Sequence, residues 1–248
     1  MTASYHFHGD LPALLRGRWR RQNPVLQTVT RSASIKDALE SFGLPHTEVG
    51  EIVCNGEPVG FSWPVAAGQV FDIFPVLPPW DVLSPSLLRP APLSVARFLA
   101  DANVGRLARY LRLAGFDTLY DWRWDDDRIV AMIGRDNRIV LSRDLGLLKR
   151  KQIDFGRCIR ATAPATQLRE VIDLLGLSGA MQPFSRCPEC NTPLQPVAKE
   201  AVMHRLEPLT RKYYETFSLC PGCDRIYWQG SHREKMEQFL GSAFTPSA

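Results

Sequence analysis

The chain is predicted to be an α/β protein: a mostly parallel sheet core with a small α+β domain before it and a cysteine-bearing ribbon after it. Three observations carry this expectation. Between residues 94 and 182, short apolar runs alternate with helical segments, the pattern of a parallel sheet with helices packed on its faces. Six prolines (Pro75, Pro78, Pro79, Pro85, Pro90 and Pro92) fall within PVLPPWDVLSPSLLRPAP. That density excludes a helix or a central strand and reads as a semi-rigid linker. From about Pro183 the composition shifts to Cys, Pro, Gly and aromatics. The expected units are residues 1–78, a linker over 79–93, a core over 94–182, and a ribbon with its tail over 183–248. A length of 248 residues, 45% hydrophobic, permits more than one buried core.

In the first unit, YHFHG and LQTVTR alternate as strands do, and SIKDALESFG has the pattern of a short capped helix ending at Gly43. EIVCNGEPV reads as a hairpin turned by Asn55-Gly56, and GQVFDIFPV as a last strand. Two strands, a helix and further strands in so short a span indicate a grasp-like α+β fold. In the core, VARFLA, FDTLY, RIVLS and GRCIRA are the expected strands. VGRLARYLRLAG, DDRIVAMIGRD, LGLLKRK and APATQLREVIDLLG are the expected helices.

Ligands of open parallel sheets gather beyond the C-terminal strand ends, and three acids qualify. Asp101 follows VARFLA, Asp144 follows RIVLS, and Asp126 opens the helix leading into the second of these strands. Each also suits a helix N-cap, and Asp125 and Asp127 compete for that role. Three carboxylates converging on one edge repel unless cations sit among them. Mg2+ or Mn2+ meets that need, since each takes carboxylate, water and phosphate oxygens together. Such an ion activates a bound water for phosphodiester hydrolysis without a Cys or His nucleophile.

The charge distribution points the same way. Residues 1–80 carry 6 basic and 7 acidic side chains and residues 94–180 carry 15 and 11, so the positive excess sits in the core and favours an anionic partner. Arg106, Arg109 and Arg112 recur every three residues on one expected flank of the first core helix, while Leu107, Leu111 and Ala114 can face the sheet. Arg143 stands beside the third acid, and Lys149-Arg150-Lys151 adds further charge. These residues suit phosphate binding; a solvated face with local ion pairs is the other reading.

RCPECNTPL and LCPGCDRIYW each hold a C-x-x-C knuckle, pairing Cys187 with Cys190 and Cys220 with Cys223. Four thiolates in two tight turns suit a closed, tetrahedral, structural Zn2+ site, with a redox dithiol or disulfides as alternatives. Cys54 and Cys158, isolated among apolar residues, read as buried thiols. Arg186, Tyr227 and Trp228 either stack and hold nucleotide bases or pack over the knuckle. No apolar run is long enough to span a bilayer, and MTASYHFHGD lacks the layout of a signal peptide, so no membrane association and a cytoplasmic location are expected.

LPHTEVGEIVCNGEPVGFSWPVAAGQVFDIFPV resembles the ubiquitin-like domain found in front of certain bacterial ribonuclease domains. It is also similar to small sulfur-carrier proteins, but those end in a free Gly-Gly, whereas this chain runs on through Pro75. The resemblance therefore implies a docking or RNA-positioning module, or a stabilising appendage. DANVGRLARYLRLAGFDTLYD and DDDRIVAMIGRDNRIVLSRDLGLLKRK resemble the PIN-like ribonuclease family of the Mut-seven C-terminal (Mut7-C) domain. SRCPECNTPL and CDRIYWQGSHREKM resemble the zinc ribbon attached to that family, with His232 at a recurrent position, read here as a structural hydrogen-bonder.

Carried over, the likeness makes Asp101, Asp126 and Asp144 ligands of catalytic Mg2+ or Mn2+. Asp144 is the aspartate of a Thr-Arg-Asp motif in which Ser142 replaces the threonine. Asp121, Asp154 and Asp173 are candidates for a fourth acid. The implied activity is metal-dependent hydrolysis of RNA, with Arg106, Arg109, Arg112, Ser142 and Arg143 on the substrate side. Implied partners are RNA, a protein docked on the ubiquitin-like domain, and a second copy in a homodimer. The alternative is a non-catalytic RNA-binding adaptor that uses the ribbon and the basic helix.

Overall fold

The computed structural model describes residues 1–228. The first unit contains β1 (Thr2–Phe7), β2 (Val25–Thr28), α1 (Ile35–Ser41), β3 (Val49–Cys54), β4 (Glu57–Pro58) and β5 (Val70–Pro75). Its sheet runs β2-β1-β5-β3-β4, with the parallel pair β1 and β5 at the centre, and forms a β-grasp, ubiquitin-like domain. Ser34 caps α1 by accepting from the Asp37 amide while the Asp37 carboxylate reaches back to the Ser34 amide. Asn55 and Gly56 both take positive φ, +50° and +91°, the backbone a two-residue hairpin requires. Tyr5 stacks on Phe71 at 5.3 Å and meets Phe42 edge-on at 4.9 Å, fixing the centre of this core.

The core domain contains β6 (Phe98–Ala100), α2 (Gly105–Leu113), β7 (Thr118–Leu119), α3 (Asp126–Ile133), β8 (Ile139–Ser142), β9 (Gly156–Cys158) and α4 (Pro164–Leu174). All four strands are parallel, in the order β7-β6-β8-β9. The period of two sends Phe98, Ala100, Ile139 and Leu141 towards α2 and α4, and Leu99 and Val140 to the other face. The expected helix at LGLLKRK is a single 3-10 turn, Leu147–Lys149. Leu147, Leu148 and Ile153 are all fully buried, and an α-helix would spread those three positions around its circumference.

The second face of this sheet is closed by α3 and by the N-terminal domain. Leu99, Val140, Leu147, Leu148 and Ile153 belong to the same buried cluster as Tyr5, Phe42, Leu44 and Phe71. The 3-10 turn His46–Glu48 forms the seam. The His46 Nε2 lies 2.8 Å from the Ile153 carbonyl. Glu48, fully buried, accepts from the Cys158 amide at 2.6 Å and from Arg157 at 2.8 Å and Arg160 at 3.3 Å. A Cβ on Gly156 would come within 2.8 Å of Leu148 and 3.2 Å of Thr47, so glycine permits the close approach.

The proline-rich segment is no free linker. The Trp80 amide donates to the Leu174 carbonyl at 2.6 Å, and Val82, Leu88 and Leu93 are buried. Arg89, 4% exposed, donates to the carbonyls of Val49 (2.9 Å), Thr47 (3.1 Å), His46 (3.2 Å) and Asp154 (2.9 Å), and its guanidinium stacks 4.9 Å from the Trp80 ring. A chain rich in proline has fewer N–H groups to satisfy, which eases its burial as a strap.

The third unit has β10 (Gln195–Val197), α5 (Lys199–Val202), α6 (Pro208–Tyr213), β11 (Phe217–Leu219) and β12 (Ile226–Trp228), with the strands antiparallel in that order. Its buried cluster, Val202, Leu206 and Phe217, is too small to hold a fold unaided. The chain leaves each C-x-x-C through a residue at positive φ, Asn191 (+70°) and Asp224 (+57°). Their amides return to the carbonyls of Cys187 (3.0 Å) and Cys220 (2.8 Å). The four Sγ atoms lie within 4.8 Å of one another, with Cys187 and Cys223 at 3.6 Å and Cys190 and Cys220 at 3.3 Å. Disulfides are excluded at these distances, whereas sulfurs about 2.3 Å from a tetrahedral zinc stand roughly 3.8 Å apart. Burial, with the neighbouring thiols adding to it, pushes the Cys223 thiol up to about 12, and four thiolates this close together would call for a cation among them. Tyr227 hydroxyl packs on Cys187 Sγ at 3.1 Å, and Arg186 is taken up by the carbonyls of Gly115 and Asn191. Both residues therefore support the knuckle and are not free to stack or hold bases. His232 lies outside the described residues. Among those described, no helix is long and apolar enough to cross a membrane.

Arg89→Ala removes the side-chain donor to four carbonyls, those of Val49 and Thr47 among them deeply buried, and should cost on the order of 3 kcal/mol in urea unfolding. A loss under about 1 kcal/mol would show that Trp80 holds the strap without it. The full chain should carry one zinc per molecule by native mass spectrometry. Cys190→Ser should lose that ion together with the near-ultraviolet signal of the ribbon aromatics.

Candidate active site

The C-terminal edge of the parallel sheet gathers the predicted acids. As the chain leaves β6, the Asp101 amide extends the ladder to the Leu141 carbonyl (3.0 Å), and the side chain turns back into the edge. Its Oδ1 accepts from the Ala102 amide (2.6 Å), and its Oδ2 accepts from Ser142 Oγ (2.6 Å) and Asn103 Nδ2 (2.6 Å). Ser142 Oγ in turn accepts from the Asp144 amide (2.8 Å), so one hydroxyl joins the acids of adjacent strands. Asn103 completes the lacing by accepting from the Arg143 amide at 3.1 Å. Asp144 is exposed, and its Oδ1 accepts from the Gly146 amide (2.6 Å). A Cβ on Gly146 would sit 2.9 Å from that oxygen.

The Asp125–Asp127 triplet divides its roles. Asp125 is the N-cap of α3, accepting from the Arg128 amide at 2.8 Å, and Asp127 pairs with Arg150. Asp126 is left for the edge. Burial raises its carboxyl above the ordinary carboxylate range, and the charges of Asp144 and Asp101 raise it further against the pull of Arg150. The three acids thus feel one another as a group. Among the described residues, the four cysteines are the set of acidic, His or Cys side chains whose donor atoms lie close enough to hold a metal ion, all within 4.8 Å; the three aspartates do not form such a set. Capping is realised as well, by Asp125 and, through Ala102, by Asp101. Of the candidates for a fourth acid, Asp121 follows β7 at this edge, where hydrogen bonds from Arg123 hold it down to about 2. Asp154 precedes β9 and Asp173 lies in the last turn of α4, both at the opposite end.

Beside Asp101 opens a cleft of about 460 Å³ lined by Asn103, Arg106, Arg109, Tyr120 and Arg143. Gly105 makes the floor possible, since a Cβ there would fall 2.3 Å from the Tyr120 hydroxyl. Arg106 and Arg143 are exposed, as expected for phosphate contacts. Arg109, 55% exposed, pairs with Glu189 at 3.2 Å.

Two expected substrate residues are placed otherwise. Arg112 is buried and donates to the carbonyls of Thr118 (2.9 Å), Pro188 (3.2 Å) and Glu189 (2.8 Å), docking the ribbon on α2. Steps of three residues drift about 60° each around a helix, so by the second step the side chain has left the flank of Arg106. Ser142 is fully buried, and its hydroxyl is spent on Asp101 and Asp144, so it positions acids and does not touch substrate. Asn103 and Tyr120 were not foreseen. Asn103 had a signal in its place two residues after a strand-end aspartate, a spacing at which side-chain amides bond locally.

Two family matches agree with this architecture. Residues 96–240 match the Mut7-C RNAse domain, and residues 1–81 match the Mut7-C ubiquitin domain. No curated protein matches the chain, and neither does any solved structure. With more than half of its length in the first match and the grasp domain in the second, the chain belongs to the Mut7-C RNAse domain family.

Proposed function

We propose that the protein is a metal-dependent ribonuclease, PIN-like in its chemistry, in which Asp101, Asp126 and Asp144 hold Mg2+ or Mn2+. The supporting observation is the juxtaposition, at one strand edge, of three mutually repelling carboxylates with an arginine-lined cleft. Membership of an RNAse domain family agrees with it. When bound, the ion supplies Lewis acidity and lowers the pKa of a coordinated water. The chain does the rest. Ser142 and Asn103 fix Asp101, the Asp144 amide on Ser142 fixes the second acid, and the exposed guanidiniums of Arg106 and Arg143 hold phosphates over both. The ubiquitin-like domain is a protein-contact module whose partner is, first, the core of its own chain.

One observation favours the adaptor reading: Asp101 spends both oxygens on groups of its own chain, as a cap would. The two readings separate cleanly, because an adaptor binds RNA regardless of divalent ions. Asp101→Asn with Asp144→Asn should abolish Mn2+-dependent cleavage of RNA while leaving the circular dichroism spectrum intact; cleavage at the wild-type rate would refute the mechanism. Ser142→Ala should lower the rate about 10–100-fold, with Ser142→Thr restoring it.

Asp126 provides a pH signature. A carboxyl raised in the folded state costs stability as pH climbs through the ordinary carboxylate value, and the cost is complete above the raised one. Asp126→Asn should therefore raise the melting temperature at neutral pH without divalent ions. That gain should vanish near pH 4. An equal gain at both pH values would point to packing and not charge.

A further inference from the structure

Glu189 lies inside the first knuckle, between Cys187 and Cys190, and its backbone is fixed from two sides. Its carbonyl accepts from buried Arg112 at 2.8 Å, and two residues on, the Asn191 side chain accepts from the Thr118 amide (3.0 Å) and donates to Asp117 (2.8 Å). The carboxylate is thereby held over the surface where α2 meets the ribbon. There its Oε1 stands 3.2 Å from Arg109 Nη2 and its Oε2 3.4 Å from Arg225 Nη1. All three side chains are open to solvent, Glu189 at 36%, Arg109 at 55% and Arg225 at 58%. Arg109 also lines the cleft beside Asp101, in company with Arg106 and Arg143. Arg109 thus belongs both to the cleft and, through Glu189, to a pair with Arg225 of the ribbon, a single carboxylate presenting one oxygen to each of two arginines.

A carboxylate in that position offers what a phosphate offers, two oxygens to two forks. Exposed pairs of this kind are worth about 0–1 kcal/mol each, so a phosphate can replace Glu189 at little cost. Resting on the reading of the cleft as an RNA site, we propose that the bound strand continues from the acids along α2 onto the ribbon as far as Arg225. Glu189 occupies Arg109 and Arg225 in the free protein until an RNA phosphate displaces it. The occupant argued for is a single strand, whose backbone can follow a line of exposed cations without the fixed geometry of a duplex.

The test is the salt dependence of binding of single-stranded oligoribonucleotides of about four and about twenty nucleotides to the full, metal-loaded chain, without added Mg2+ or Mn2+. Arg225→Gln should lower the slope of log K against log salt by about 0.7 for the long strand and leave the short one unchanged. Arg225→Lys should restore the slope. Glu189→Gln, which frees both arginines, should tighten the long strand several-fold. The inference is overturned if Arg225→Gln leaves the long-strand slope unchanged, or if Glu189→Gln weakens binding as loss of a mere brace would, while Arg106→Gln still flattens it. Absence of salt-dependent RNA binding in the unaltered protein would instead refute the reading of the cleft.

Discussion

A parallel sheet hides both of its faces, and the burial of one face here is shared between α3 and the N-terminal domain. α2 and α4 cover Phe98, Ala100, Ile139 and Leu141; Leu99 and Val140 look the other way, into a cluster continuous with the aromatic centre of the grasp domain. The two domains are thus halves of one hydrophobic interior, sealed by Glu48 between Arg157 and Arg160 and strapped by Arg89. A buried carboxylate holding two guanidiniums contributes little net stability compared with apolar packing, but it tolerates no other register. The strand ends that carry the acids are positioned by this seal.

The edge itself shows how a fold concentrates like charge without collapsing. Asp101 is satisfied locally by donors from Ala102, Ser142 and Asn103, while Asp144 is open to solvent and Asp126 is half-buried. Arg150 pairs with Asp127 and pulls on Asp126 from there, and Arg109 is paired with Glu189. Carboxylates crowded in this way are what the proposed divalent ion would compensate. The cysteine centre is the converse case, since four sulfurs gathered this closely could fill the whole coordination shell of a metal ion and would leave no position for chemistry.

Local chemistry is legible in the chain and long-range partnership is not. The Asn55-Gly56 turn, the capped helix at Ser34, the strand–helix alternation and both knuckles follow from short patterns, and all appear where those patterns place them. So does the convergence of Asp101, Asp126 and Asp144 on one edge, because parallel strands put their C-terminal ends together. Arg112 looks like its exposed neighbours until the ribbon is present to bury it. Ser142 reads as a donor to substrate until Asp101 is found to claim its hydroxyl. The prolines signal the absence of regular structure correctly; that absence does not distinguish a loose tether from a strap held by Arg89, whose acceptors lie about forty residues upstream and sixty downstream.

The buried guanidinium of Arg112 draws two of its three acceptors from the peptide groups of Pro188 and Glu189, inside a knuckle whose four cysteines are placed to hold a metal ion. Stripping that ion would therefore reach beyond the ribbon. It would leave the enclosed guanidinium with the Thr118 carbonyl alone, in the helix whose Arg106 and Arg109 line the cleft, so an ion bound in the ribbon would bear on a cleft it never touches.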